Sequence, residues 1–328
     1  MVETLKSLAK SLPYPVFLRL FYAWDRLQWR RRAEVARKRA GIPALDQIDL
    51  LQTDLLQTKN SETLFVLGSG PSINRISAER WRVIANHDTV GFNWWLYHSF
   101  IPKFYFFEVI EKDVSPEAFE SYLTLASRRA ADYASTIKIA MEFHRLGAQT
   151  LDHLPPAFRK NLFAAHKIEA PARSEGELAQ ALRYLQSRGV FQVTGRFSDL
   201  LKYAASLTSM LAFALKLGYK RIVLCGIDLK TPDYFFQDRR FYPESWEPPE
   251  SERFETHFTE VSLTWKLPVT RAVAVIKQQL LDPAGIELFV ENEDSALWPM
   301  LPAFPGLASD VAWDETTPNF QPAARLAQ

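Results

Sequence analysis

The chain has 328 residues, 47% of them hydrophobic and 23% charged, with 39 Lys and Arg against 38 Asp and Glu. This composition excludes a disordered, collagenous or coiled-coil chain and predicts a globular protein with a sizeable core. A formal net charge of +1 gives no support to nonspecific nucleic-acid binding, and a single cysteine, Cys225, rules out an internal disulfide framework or a cysteine-rich zinc site.

The neutral total is a sum of unlike parts. Residues 1–40 hold ten Lys and Arg and three Asp and Glu, or +7, so the remaining 288 residues carry −6. Within 1–41, Leu5, Leu8 and Leu12 recur at helical spacing, and a second helix is predicted after Pro13 and Pro15. Val16, Leu20, Trp24 and Leu27 share one face of it, beside Phe17, Phe21 and Tyr22, and Arg26, Arg30, Arg31, Arg32, Arg37, Lys38 and Arg39 follow. An apolar aromatic face next to dense arginines suits an interfacial helix on an anionic membrane. The same pattern fits a helix packed on the main domain with a solvated basic end. The apolar runs fall far short of the ~20 residues a span needs. No apolar leader with a cleavage site is present, so a secretory signal is not expected. The chain is expected in the cytoplasm, peripheral to the inner face of the cytoplasmic membrane.

Residues 42–61 read as a linker. Thr63–Leu67 is a short apolar run that predicts a buried first strand ending in Gly68-Ser69-Gly70-Pro71-Ser72. A helix over Ser77–Ile84, capped by Ser77, precedes strands at Thr89–Asn93 and Phe104–Val109. Helices follow near 115–130 and 175–188, then a long one from Asp199 to Leu217 ending at Gly218. Arg221–Leu224 is a strand leading into Cys225-Gly226-Ile227-Asp228. Residues 230–265 are aromatic and acidic and read as a lid-like loop. A helix over Arg271–Leu281 and a strand over Ile286–Val290 close the domain, and 306–328 form a tail. Alternating strands and helices predict an α/β fold: a single Rossmann-like domain over 62–305 with a mainly parallel sheet.

Several residues fall where ligands bind, at the C-terminal ends of parallel strands. Gly68 and Gly70 would let the backbone approach a ligand and take positive φ, and Ser69 and Ser72 add hydroxyls. The loop is neither a Walker A motif nor a full dinucleotide fingerprint, and a tight turn without a ligand is the alternative. Asn93 could bond a base or sugar while Trp94 or Trp95 offers an aromatic face; at least one Trp is expected in the core. Glu108 is a candidate ribose ligand or a solvated strand end. Asp228 is a candidate ligand or a turn cap, and Lys230 and Tyr234 could reach a phosphate. His257, in the lid-like loop, could be a general base for a hydroxyl or an exposed loop histidine. The other histidines, His87, His98, His144, His153 and His166, are scattered without metal-ligand spacing, so no metal site is expected.

Taken in order, the Gly68–Ser72 loop, Asn93, and Ala214 through Asp228 resemble the bacterial sialyltransferases of glycosyltransferase family 42. Those enzymes show a Gly-Asn-Gly-Pro-Ser loop, a Cys-Asn-Gln element and an Ala-Leu-Gly-Tyr-Lys-Glu-Ile-Tyr-Leu-Ser-Gly-Ile-Asp stretch. Ile286–Val290 with Glu291 through Ser295 is similar to the family's closing strand and Pro-Asn-Ser element. The resemblance spans 62–305 with large gaps across 110–200. It implies a cytidine monophosphate (CMP) sugar donor, inversion at the anomeric centre, and no metal or other cofactor. It further implies that Gly68, Ser69, Gly70, Ser72 and Asn93 hold the nucleotide. Ser206, Thr208 and Ser209 would meet the donor phosphate or carboxylate, and Asp228 and Ser295 match family positions. Tyr234 would steady the leaving phosphate and His257 would be the base. Departures are Ser69 and Glu108 where the family has Asn, Lys230 near a family Tyr, a helix start without Gly, and a longer gap after His257.

The expected function is transfer of sialic acid or a related acidic sugar, such as Kdo, from CMP to a cell-surface glycan or glycolipid. That would be a step of bacterial surface polysaccharide or lipopolysaccharide biosynthesis. Two alternatives are a Mg²⁺-dependent phosphotransferase like the archaeal pterin pyrophosphokinases and a non-catalytic nucleotide-binding membrane adaptor. No nucleic-acid partner is expected, and the oligomeric state is open.

Overall fold

A computed structural model describes residues 12–45, 59–108, 115–141, 151, 153–192, 199–245, 256–261 and 266–307. The predicted helix at Leu5 and Leu8, most of the linker, the middle of the lid-like loop and the tail from 308 lie outside them, as does Val109.

Among the described residues seven strands form one sheet: β1 (Thr63–Leu67), β2 (Asp88–Phe92), β3 (Phe104–Glu108), β4 (Ile137–Met141), β5 (Leu162–Ala164), β8 (Arg221–Cys225) and β9 (Glu287–Val290). The strands β6 (His166–Glu169) and β7 (Asp199–Lys202) form a separate pair. The sheet order is β5-β4-β3-β2-β1-β8-β9, and every pairing is parallel. Parallel strands covered on both faces need apolar residues at every position. β1 meets that demand at four of its five buried positions, the fifth being Thr63.

The longer helices among the described residues are α1 (Tyr14–Ala40), α2 (Ala78–Ala85), α3 (Pro116–Arg128), α4 (Glu175–Ser187), α5 (Ser206–Lys216) and α6 (Val269–Ile276). As expected, Ser77 caps α2 by accepting the Arg80 amide at 3.3 Å. Leu207, Leu211 and Phe213 of α5 and Val273 and Ile276 of α6 bury against one sheet face. Trp81 of α2 and Tyr122 of α3 bury on the other. Chain order runs outward from β1 to β5 on one side and resumes at β8 on the other. The crevice between the ends of β1 and β8 is therefore the topological switch point, where ligands bind in such folds.

The expectation of one helix from Asp199 to Leu217 is corrected. Asp199–Lys202 is β7, pairing Leu200 with Lys167 and Leu201 with Ile168. Ala204 then turns the chain with φ 62°, and α5 begins at Ser206. β4 went unread because Lys138 interrupts its apolar pattern. Its side chain is nevertheless fully buried, with Nζ donating to the carbonyls of Tyr133 at 2.6 Å and Thr136 at 2.8 Å. Burial pushes the Lys138 amine down to about 8.

α1 packs on the body. Leu18 and Ala33 are buried, the Tyr14 hydroxyl donates to the Pro171 carbonyl, and the Tyr22 hydroxyl donates to that of Glu169. Arg30 pairs with Asp199 at 3.2 Å. The start of the predicted linker also packs, with Ile42 and Leu45 buried.

Behind the β2 turn, His98 is buried between Trp81 and Trp95, with ring centroids 4.9 and 4.5 Å away. Its Nδ1 accepts the Phe100 amide at 3.1 Å, which requires an unprotonated nitrogen. Burial, aided by nearby Arg129, pushes the imidazole down to about 3. A depressed histidine favours the fold above its unfolded value of 6.5 and loses that contribution as pH falls toward 3. Stability is therefore expected to drop by about 1.4 kcal/mol per pH unit from this one group between pH 6 and 4. Urea unfolding across that range measures it; His98→Gln should be less stable at pH 7 but lose less on acidification.

Candidate active site

The loops after β1 and β8 are clasped together. The Gly68 amide donates to the Cys225 carbonyl at 2.8 Å and the Gly70 amide to the Gly226 carbonyl at 2.7 Å. The buried Asp228 carboxylate accepts both the Ser72 amide at 2.8 Å and the Ser72 hydroxyl at 2.5 Å. A Cβ on Gly68 would stand 2.3 Å from Ile227 Cδ1 and 2.6 Å from the Gly226 carbonyl oxygen. One on Gly70 would stand 2.6 Å from Asp228 Oδ2. The positive-φ glycine here is Gly226 at 64°, whereas Gly68 and Gly70 are not in that region. The expected positive φ at these two glycines is corrected: what they permit in the structure is the close approach of one loop to the other. Burial raises the Asp228 carboxyl above its ordinary range, opposed by the two Ser72 bonds.

A cavity of about 330 Å³ opens at this crevice. Ser69 and Gly70, Asn93 and Trp94, Glu108, Asp228, Tyr234 and His257 all line it. Asn93 follows β2 with φ 53°, a left-handed conformation that asparagine tolerates better than most residues. Its carbonyl accepts the Tyr105 hydroxyl, its Oδ1 accepts the Glu108 amide at 3.4 Å, and its Nδ2 donates to the Ser206 hydroxyl at 3.5 Å. Glu108 ends β3 and is held from two sides: Ser206 donates to Oε1, and Lys202 pairs with Oε2 at 2.5 Å. This places a carboxylate at the N-terminus of α5, where the helix dipole favours an anion. Trp94 is half-buried beside the cavity, whereas Trp95 is fully buried with its indole N–H bonded to the Phe100 carbonyl.

His257 lines the same cavity. Its ring meets Tyr234 edge-on at 5.9 Å, and Tyr234 stacks on Phe236 at 5.2 Å. His257 Nδ1 lies 2.8 Å from the Thr259 hydroxyl, and burial pushes the imidazole down to about 4. It is therefore neutral at pH 7.

Four other expected residues sit elsewhere. Thr208 and Ser209 are fully buried; Thr208 Oγ1 accepts the Tyr203 amide, and Ser209 donates to the Leu201 carbonyl. Ser295 donates to the Ile227 carbonyl at 2.6 Å, so it braces the Asp228 loop from behind. Lys230 is exposed and does not line the cavity.

Residues missed from sequence include Lys202, hidden in a stretch read as helix, and Thr231, Asp233 and Thr259. Thr259 was findable as a hydroxyl two residues from a candidate base. Among the described residues, the charged side chains lining the cavity are the carboxylates of Glu108, Asp228 and Asp233. No group of three or more His, Cys, Asp or Glu among them could hold a metal ion.

No protein-family model matches the chain, and no curated protein matches it. Solved structures similar to it include the monofunctional α-2,3-sialyltransferase Cst-I from Campylobacter jejuni, at 18% identity and TM-score 0.40, over 80% of this chain and 88% of that one. The sialyltransferase CstII of the same organism, solved with CMP, is similar at 15% identity and TM-score 0.38, over 80% and 94%. CstII solved with CMP-3FNeuAc gives 17% identity and TM-score 0.39, over 79% and 92%. Similarity this distant leaves the chemistry of the chain to its own residues.

The clasp makes a quantitative prediction. Gly68→Ala drives a methyl into backbone and should cost at least about 2 kcal/mol in urea unfolding, within the range for overpacked interiors. Gly176→Ala in α4, where nothing lies within 4 Å of the added carbon, should be neutral or slightly stabilising.

Proposed function

We propose that the chain is an inverting, metal-independent glycosyltransferase. It would move sialic acid or a related acidic sugar from CMP to a hydroxyl of a glycan or glycolipid. The observation that carries the reading is convergence. The Gly68–Ser72 loop, Asn93, Asp228 and His257, far apart in sequence and each matched to a family 42 element, share one cavity at the switch point.

In the proposed reaction the bond from the anomeric carbon to the phosphate oxygen breaks, and its electron pair leaves with CMP. The acceptor oxygen attacks from the opposite face while His257 takes its proton. In the structure Nδ1 accepts the Thr259 amide at 3.4 Å; for Nε2 to take that proton, the ring would have to adopt the other tautomer, with the Thr259 hydroxyl accepting Nδ1–H. A base held at about 4 is correctly unprotonated but weak. The donor's negative charge would raise it toward neutrality and strengthen it when substrate is present. Tyr234, which lines the cavity, would donate its hydroxyl to the departing phosphate, and Lys230, outside the cavity, would supply a cation only if its loop folds inward. Asn93 and Glu108 offer an amide and a carboxylate for base or sugar groups. Placement at the inner face of the cytoplasmic membrane is part of the proposal and would set the site beside lipid-linked acceptors.

Kinetics with CMP-linked sialic acid and CMP-Kdo test the reading. His257→Ala should lower kcat by about 10²–10⁴-fold with Tm unchanged. Undiminished turnover would remove His257 from the mechanism. Activity should persist in excess EDTA; its loss would favour a Mg²⁺-dependent phosphotransferase. The acid limb of kcat/KM, which reports the free enzyme, should follow His257 near pH 4 rather than 6.5.

A further inference from the structure

α1 is apolar on two opposite sides, and the body covers only one. The inward side carries Leu18, Ala33 and Ala40, each no more than 4% exposed. On the outward side Val16 is 43% exposed, Leu20 51% and Leu27 52%. At about 100° per residue these three fall within an arc of about 40°. Four of the six exposed large hydrophobic residues among the described residues, these three and Val35, belong to this one helix. Such clustering, unlike scattered exposed side chains, marks an interaction surface.

Charge decides what the surface faces. Arg19 and Arg26 flank the strip on one side and Arg31 on the other, all exposed. Glu34, the acid nearest the strip, is matched by Arg37 at 2.7 Å and Lys38 at 3.5 Å. A second copy docked here would bring two arginine rims together without counter-charge. A nucleic acid would meet the arginines but leave the leucines in water. An anionic bilayer satisfies both, with lipid phosphates at the rim and acyl chains under the strip. The −6 of residues 41–328 would be repelled by the same surface, which orients the molecule with α1 toward the lipid.

We propose that the outward face of α1, Val16, Leu20 and Leu27 rimmed by Arg19, Arg26 and Arg31, docks on an anionic lipid bilayer. This does not depend on the reaction proposed above.

Because α1 is part of the packed body, its deletion would damage the fold, and point substitutions are the proper test. The full chain is mixed with vesicles of phosphatidylcholine alone or of phosphatidylcholine with phosphatidylglycerol, and floated. The chain should float with the anionic vesicles, much less with neutral ones, and less as salt rises. The double variant Leu20→Glu, Leu27→Glu should lose at least about tenfold in partitioning at unchanged Tm, since two apolar anchors become anions. The triple variant Arg19→Gln, Arg26→Gln, Arg31→Gln should lose the preference for phosphatidylglycerol. Three results would overturn the proposal: no flotation of the full chain with anionic vesicles, equal flotation of the Leu20/Leu27 double variant, or a dimer that this variant dissociates.

Discussion

The arrangement depends on one clasp, the Asp228 carboxylate gripping the amide and hydroxyl of Ser72. Two loops that leave neighbouring parallel strands would ordinarily diverge, each turning toward its own helix. Here they are held at van der Waals contact, which is why Gly68 and Gly70 have no side chain and why Gly226 takes a left-handed turn. A buried carboxylate is costly unless it is hydrogen-bonded, and Ser72 supplies two donors at once. Ser295 and the Ala296 amide brace the same loop through the carbonyls of Ile227 and Asp228. The clasp closes the floor of the crevice and leaves Ser69 and Gly70 at its edge.

Around that floor the remaining groups are fixed by packing and by one polar chain. Tyr105, fully buried, holds the Asn93 carbonyl in its strained turn. Asn93, Ser206, Glu108 and Lys202 then run as a continuous network from the end of β2 to the end of β7. Glu108 sits where an anionic ligand would otherwise find the dipole of α5, with Lys202 already paired to it. Any donor phosphate must therefore be met by hydroxyls and local dipoles, or must compete with Glu108 for Lys202. This agrees with a body whose net charge is negative.

Legibility in the sequence followed burial. β1, β3 and β8 could be read because strands covered on both faces are near-continuous apolar runs. Asn93, Glu108 and Asp228 could be singled out because each stands at the C-terminal end of such a run. β4 was obscured by Lys138, whose ammonium is satisfied by two carbonyls that only the folded chain brings near. β7 was merged with α5 because the break between them is a positive φ at Ala204, which no residue type announces. Lys202 was lost with it. Thr208 and Ser209 were expected at the site from the family pattern, but both bond to backbone carbonyls or amides behind it. Of the three hydroxyls expected at the start of α5, Ser206 is the one that joins the network of Asn93 and Glu108.

The central claim is that the crevice between β1 and β8 is a cytidine-nucleotide site, and calorimetric titration of the protein with CMP, UMP, GDP and ATP tests it most directly. The account predicts that CMP binds ahead of the other three and that Asn93→Ala weakens CMP by about tenfold or more, as the loss of a hydrogen bond to ligand would. Binding of ATP or GDP in preference to CMP, or no binding of any of the four, would contradict it.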